Sequence, residues 1–153
     1  MKALDRYIIE KFQITKDSTY YTCQPKDKVE LREILEERLA VDENANLNDI
    51  DVSAITDMSN LFDSLDPHNI KIDNWDVSNV EDMDGMFEGC KNFNCNLENW
   101  DVSNVEDMYA MFWNCSKFEG EGLEKWNPVK CKYMMRMFNY CNSLKNKPSW
   151  YKN

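Results

Sequence analysis

Apolar residues in this chain follow a frame that recurs every 25 or 26 residues. Two stretches show it plainly: "NWDVSNVEDMDGMFEGC" at 74–90 and "NWDVSNVEDMYAMFWNC" at 99–115. Counting from the Trp as zero, the frame is apolar at −3, +2, +5, +8 and +11, Phe at +12, Cys at +15, and apolar at +18. One unit supplies Ile72, Trp75, Val77, Val80, Met83, Met86, Phe87, Cys90 and Phe93. The next supplies Leu97, Trp100, Val102, Val105, Met108, Met111, Phe112, Cys115 and Phe118. A third runs through Leu123, Trp126, Pro128, Cys131, Met134, Met137, Phe138, Cys141 and Leu144. An earlier, degenerate copy holds Leu47, Ile50, Val52, Ile55, Met58, Leu61, Phe62 and Leu65.

A fixed period of this length marks units too small to bury their own apolar face, which must stack on their neighbours. Alternation across Trp-Asp-Val predicts a short strand, with Trp100 and Val102 inward. The columns Asp51/Asp76/Asp101 and Ser53/Ser78/Ser103 then face outward. Met108, Met111, Phe112 and Cys115, at i, i+3, i+4 and i+7, predict one stripe of a short helix. Asp57, Asp82 and Asp107 each stand just before that stripe and read as its N-caps. A cation site in that aspartate column is the alternative, though nothing here has the spacing of a dedicated calcium loop. The expected fold is therefore an α/β solenoid of about four strand-plus-short-helix units over residues 47–144. Its core columns are Trp75/Trp100/Trp126, Phe87/Phe112/Phe138 and Cys90/Cys115/Cys141.

The ends break the frame. "KDKVELREILEERLA" at 26–40 places Val29, Leu31, Ile34, Leu35 and Leu39 close to helical spacing, with Asp27 as N-cap and Glu30 three residues on as in a capping box. It reads as a capping helix within an N-terminal extension spanning 1–46. Leu4, Tyr7, Ile8 and Phe12 predict a further amphipathic helix, and "STYYTC" at 18–23 a short strand. These first residues extend the cap or reach out to a partner. Residues 145–153 form the opposite cap, where Pro148 halts regular structure and Trp150, 24 residues after Trp126, folds over the last turn.

The motif L-x-x-W-x-V-x-x-V-x-x-M-x-x-M-F-x-x-C-x-x-F resembles the BspA-like leucine-rich repeats, in the bacterial branch with "WDVSNV-x-x-M-x-x-MF" units, over residues 47 to about 144. The resemblance implies a right-handed, curved stack with strands on its inner face. It also implies an adhesion or protein-binding role, on cell surfaces or in phage-derived and mobile genes, and brings no catalytic residues.

Charge divides the chain into three. Residues 1–40 carry eight acids and eight bases; residues 41–126 carry 20 acids and four bases, a net −16; residues 127–153 carry six bases and no acid. An acidic body argues against nucleic acid on the main surface and suits a protein partner with a basic surface, or simply solubility. The longest apolar runs are far short of the roughly 20 residues that cross a bilayer. The opening "MKALDRYIIEKFQ" is no secretory signal, so the chain reads as cytoplasmic with no membrane partner. Regular recurrence of Cys90, Cys115 and Cys141 indicates buried small side chains rather than disulfide partners. No metal is expected, since there is no CxxC pair and His68 is the only histidine. No phosphate loop, GxSxG or HExxH is present, and no cofactor or catalytic residue is expected.

Three functional expectations follow. One is a non-catalytic protein-binding module using Asp51, Asp76, Asp101, Ser78 and Ser103 on the strand face, with Tyr109 and Trp113 as aromatics outside the core frame. Another is a small acidic inhibitor, of phage or mobile-element type, that blocks a basic nucleic-acid-binding enzyme. The last is self-assembly or surface adhesion, with the basic C-terminal end meeting the acidic part of another copy.

Overall fold

A computed structural model describes residues 22–152; the helix expected at 4–12 and most of the strand expected at 18–23 lie outside them. Among the described residues one α-helix, α1 (Lys28–Val41), precedes the repeats, and one 3-10 turn lies at Leu123–Lys125. At the start of α1 the Asp27 carboxylate accepts the Glu30 N–H at 3.0 Å, and the Glu30 carboxylate accepts the Lys26 N–H at 3.0 Å. Leu31, Ile34 and Leu35 are fully buried, whereas Val29 stays exposed.

The repeats contain neither the strands nor the helices that the pattern predicted, so the strand-plus-helix α/β solenoid is overturned. Each unit is instead a run of tight turns closed by i→i+3 hydrogen bonds. Trp75 N–H donates to Ile72, Val80 to Val77, Met86 to Met83, Glu88 to Gly85, Cys90 to Phe87 and Phe93 to Cys90, at 2.9–3.2 Å. The other units repeat these bonds, as in Trp100→Leu97, Val105→Val102, Met111→Met108 and Cys115→Phe112.

The physical reason lies in the spacing and the backbone. Apolar positions fall three apart at +2, +5, +8, +11 and again at +12, +15, +18. On a helix of 3.6 residues per turn, steps of three drift around the cylinder and never hold one stripe. Two positions per unit are also left-handed: +10 (Asn60, Gly85, Ala110, Arg136, φ 50–61°) and +14 (Ser64, Gly89, Asn114, Tyr140, φ 59–75°). A right-handed helix cannot pass through either. The expected strand fails for a related reason. Asp76 Oδ1 accepts both the Ser78 N–H and the Ser78 hydroxyl, at 3.1 and 2.6 Å, folding Asp-Val-Ser into an Asx-turn.

Neighbouring units join edge to edge, so each forms one rung of a stack. The N–H groups at +8, +10 and +12 donate to the next rung's carbonyls at +7, +9 and +11: Met83→Asp107, Gly85→Tyr109 and Phe87→Met111, each at 2.9 Å. At +14, Gly89 donates to Trp113 at 2.8 Å. Parallel bridges Asp57–Asp82–Asp107–Tyr133 mark the same ladder. Inside, Trp75, Trp100, Trp126 and Trp150 stack at 6.5, 6.2 and 6.0 Å. Each Trp75, Trp100 and Trp126 indole N–H reaches back to the −3 carbonyl of the rung before, at 2.8–2.9 Å. Phe62, Phe87, Phe112 and Phe138 form a second column at 4.9–5.9 Å. The thiols of Cys115 and Cys141 donate to Phe87 and Phe112 carbonyls at 2.9 Å. Burial holds all of them neutral, raising the Cys90 thiol to about 12 and the Cys141 thiol to about 11.

Candidate functional site at the open end of the stack

Over positions +7 to +14 the two ends of the stack expose opposite backbone groups. Among the described residues only Thr22 and Cys23 pair with the first rung from the other side, at 49–51, and three of its outward carbonyls are met by side chains of α1. Arg32 donates to Leu61 O at 2.8 Å and Asp63 O at 2.6 Å, and Lys28 Nζ lies 3.4 Å from Ser59 O. At the other end, the last rung presents the N–H groups of Met134, Arg136, Phe138 and Tyr140, which find no acceptor among the described residues. The tail covers only part of this end. Trp150 continues the indole column, donating to Leu123 O at 2.7 Å, and Tyr151 meets Phe138 edge-on at 5.0 Å. The Lys152 N–H then points at the Met134 sulfur, 3.4 Å away.

Positions that are mainly polar in earlier rungs turn apolar here. Tyr133 stands where Asp57, Asp82 and Asp107 stand; Met135 follows Ser59, Asp84 and Tyr109; Tyr140 replaces Ser64, Gly89 and Asn114; and Val129 replaces the Ser column. These four are 59%, 63%, 63% and 68% exposed. Tyr140 meets Trp113 edge-on at 5.5 Å, and the Arg136 guanidinium lies 6.0 Å from the Tyr109 ring. Tyr109 therefore pairs with Arg136, and Trp113 with Tyr140, across the last two rungs. Sequence reasoning missed Tyr133 and Tyr140, although apolar residues in columns otherwise polar were the available signal.

The other expected site residues lie elsewhere. Asp76 and Asp101 are exposed on the rung flank, Asp51 less so, and each spends an oxygen on its own turn with Ser53, Ser78 or Ser103. The bonds from Ser103 hold the Asp101 carboxyl below its usual range. Asp57, Asp82 and Asp107 cap no helix; their carboxylates accept the N–H two residues on, at 2.8–2.9 Å, closing further Asx-turns. Burial raises Asp57, but the Lys28 ammonium, 2.7 Å away, and Ser59 outweigh that and leave it below the usual carboxylate range. Asp84 is pushed up, first by burial and then by Asp107 and Asp82. No group of three or more ligand-type side chains is arranged to hold a metal among the described residues.

Reactive chemistry is not assembled in the described residues. His68 Nδ1 lies 3.0 Å from Glu43, away from any thiol bond. A shallow cavity of about 510 Å³ is lined by Asn46, Asn48, Asp73, Cys95 and Glu98. Its thiol is raised to about 11 by burial, so it is no nucleophile at neutral pH. No described helix is long and apolar enough to cross a membrane.

A family model described as "Mycoplasma protein of unknown function, DUF285" matches residues 30–151. The match carries kinship with BspA-like repeats at the family level and does not single out a leucine-rich-repeat family. No curated protein and no solved structure matches the chain.

Proposed function

Since the chain belongs to this DUF285 family, whose description assigns no activity, we propose from the geometry that it is a non-catalytic protein-binding module. It holds its partner at the open end of the stack. The observation that supports this most is the exposure of Val129, Tyr133, Met135 and Tyr140 at positions held in the earlier rungs mainly by Ser, Asp, Asn or Gly. Contiguous exposed apolar side chains cost solubility and recur at docking surfaces, where Tyr, Trp and Arg supply much of the energy. Arg136, Tyr109 and Trp113 adjoin the same patch.

A second surface is the acidic flank formed by Asp76 and Asp101, with Glu81 beside them in the next column. It suits a basic partner or a nucleic-acid-mimicking inhibitor, and its charge makes any such binding salt-sensitive. One experiment separates the surfaces: affinity capture from the native host, comparing wild type with Tyr133→Ser/Met135→Ser/Tyr140→Ser and with Asp76→Lys/Asp101→Lys. The expected result is a specific partner lost by the first variant and kept by the second. The reverse pattern moves function to the acidic flank, and no specific partner in any lane overturns the binding module.

A further inference from the structure

Every interior rung is bonded along alternate positions, its N–H groups at +8, +10, +12 and +14 answered by carbonyls at +7, +9, +11 and +13 of the rung that follows. The fourth rung keeps the donors, and no described residue receives them. Trp150, Tyr151 and Lys152 take positions 0 to +2 beyond the fourth rung. Among the described residues no half-rung accepts from Met134, Arg136, Phe138 and Tyr140, whose four N–H groups would take one extended segment of about seven residues.

What takes that place is set by charge and by donor sense. Residues 127–153 hold Lys130, Lys132, Arg136, Lys145, Lys147 and Lys152 and no acid. At the opposite end of a second copy, Lys28 and Arg32 already meet three of the four outward carbonyls, those of Ser59, Leu61 and Asp63. Two open ends face to face would set donors against donors and bases against bases.

Building on the binding-module reading, we propose that the open end captures an extended, acidic peptide segment of another protein, which adds itself as the next half-rung. Its alternate carbonyls accept from the four free N–H groups, as in strand addition to a sheet edge. In the register of the stack its acidic +7 and +9 side chains lie over Tyr133 and Met135, beside Arg136 and beside Lys132, whose ammonium also meets Glu106 at 2.6 Å. Backbone pairing supplies the register, and the charge of the end selects against basic and neutral segments.

The probe is an acetylated, amidated peptide of the chain's own second rung, Glu81–Glu88 (EDMDGMFE), whose equivalents already accept from Met58, Asn60 and Phe62 inside the stack. Titrated into the ¹⁵N-labelled protein, it is expected to shift and protect the amides of Met134, Arg136, Phe138 and Tyr140. The neutral peptide QNMNGMFQ, and the variants Met135→Glu and Tyr140→Glu with the acidic peptide, are expected to bind roughly tenfold more weakly. Binding that shifts amides around Asp76 and Asp101 instead overturns this proposal and leaves the binding-module reading standing. No binding at millimolar peptide, with partner capture still lost in the Tyr133/Met135/Tyr140 variant, likewise removes the peptide mode alone. Protection of the four amides without peptide, in a concentration-dependent dimer, assigns the end to a second copy and overturns the acidic-peptide assignment.

Discussion

Gly122 and Gly89 are both left-handed, at φ 87° and 75°, yet their surroundings differ. A Cβ on Gly122 would run into the backbone nitrogen of Glu98 on the rung before, while a Cβ on Gly89 would meet open space. Gly89→Ala therefore carries only the left-handed strain, about 1 kcal/mol. Gly122→Ala adds displacement of a neighbouring rung and lowers the urea midpoint clearly further. Equal midpoints for the two variants would mean that the rungs do not approach so closely there. The buried thiols give a second residue-scale test. Burial raises Cys115 well above the 9.0 of a free thiol. Above pH 9 the unfolded chain loses that proton while the folded chain keeps it, so stability falls as pH rises. Each such thiol contributes about 1.4 kcal/mol per pH unit to the slope. Denaturation of Cys115→Ala at pH 8 and above pH 10 is expected to show the alkaline slope reduced by one thiol's share; an unchanged slope contradicts the neutral, buried thiol.

At the scale of elements, α1 acts through its side chains as much as through its apolar face. Arg32 bonds two carbonyls of the first rung, and its contact to Glu36 is a surface i,i+4 pair at 2.7 Å. Arg32→Ala strands both carbonyls and is expected to cost about 1–3 kcal/mol, against about 0.5 kcal/mol or less for Glu36→Ala. Similar losses for the two would remove the cap from the account. This element also shows what the sequence makes visible. The inward positions Trp75, Trp100, Phe87, Phe112 and Cys115 were legible because a period in the chain becomes a column in space. The local backbone was not: Met108, Met111, Phe112 and Cys115 satisfy a helical stripe if read alone. Only the run of three-residue steps before and after them argues for turns. The left-handed +10 and +14 positions were hidden in the same way, since Ala110, Arg136 and Tyr140 are poor advertisements for positive φ beside Gly85 and Gly89. At the open end, Tyr109 and Trp113 stood out as unrepeated aromatics. Tyr133 and Tyr140 did not, because their meaning depends on lacking a following rung.

Across the whole molecule, direction is set by hydrogen bonding. Over positions +8 to +14 the backbone donors point from the first rung towards the last, while at other positions they point back, as in Glu81→Thr56, Glu106→Glu81 and Lys132→Glu106. The carbonyl end is covered by the cations of α1, and the donor end carries the basic segment and the exposed apolar patch. Rungs of this kind have little stability alone and gain it from their neighbours. The central claim, that the repeats are turn-built rungs bonded edge to edge and open at one end, is tested most directly by amide hydrogen exchange read residue by residue. The account predicts slow exchange at Met83, Gly85, Phe87 and Gly89 and at Met108, Ala110, Phe112 and Asn114, with fast exchange at Met134, Arg136, Phe138 and Tyr140. Uniform protection across 108–115 and 134–141, as continuous helices would give, would contradict it.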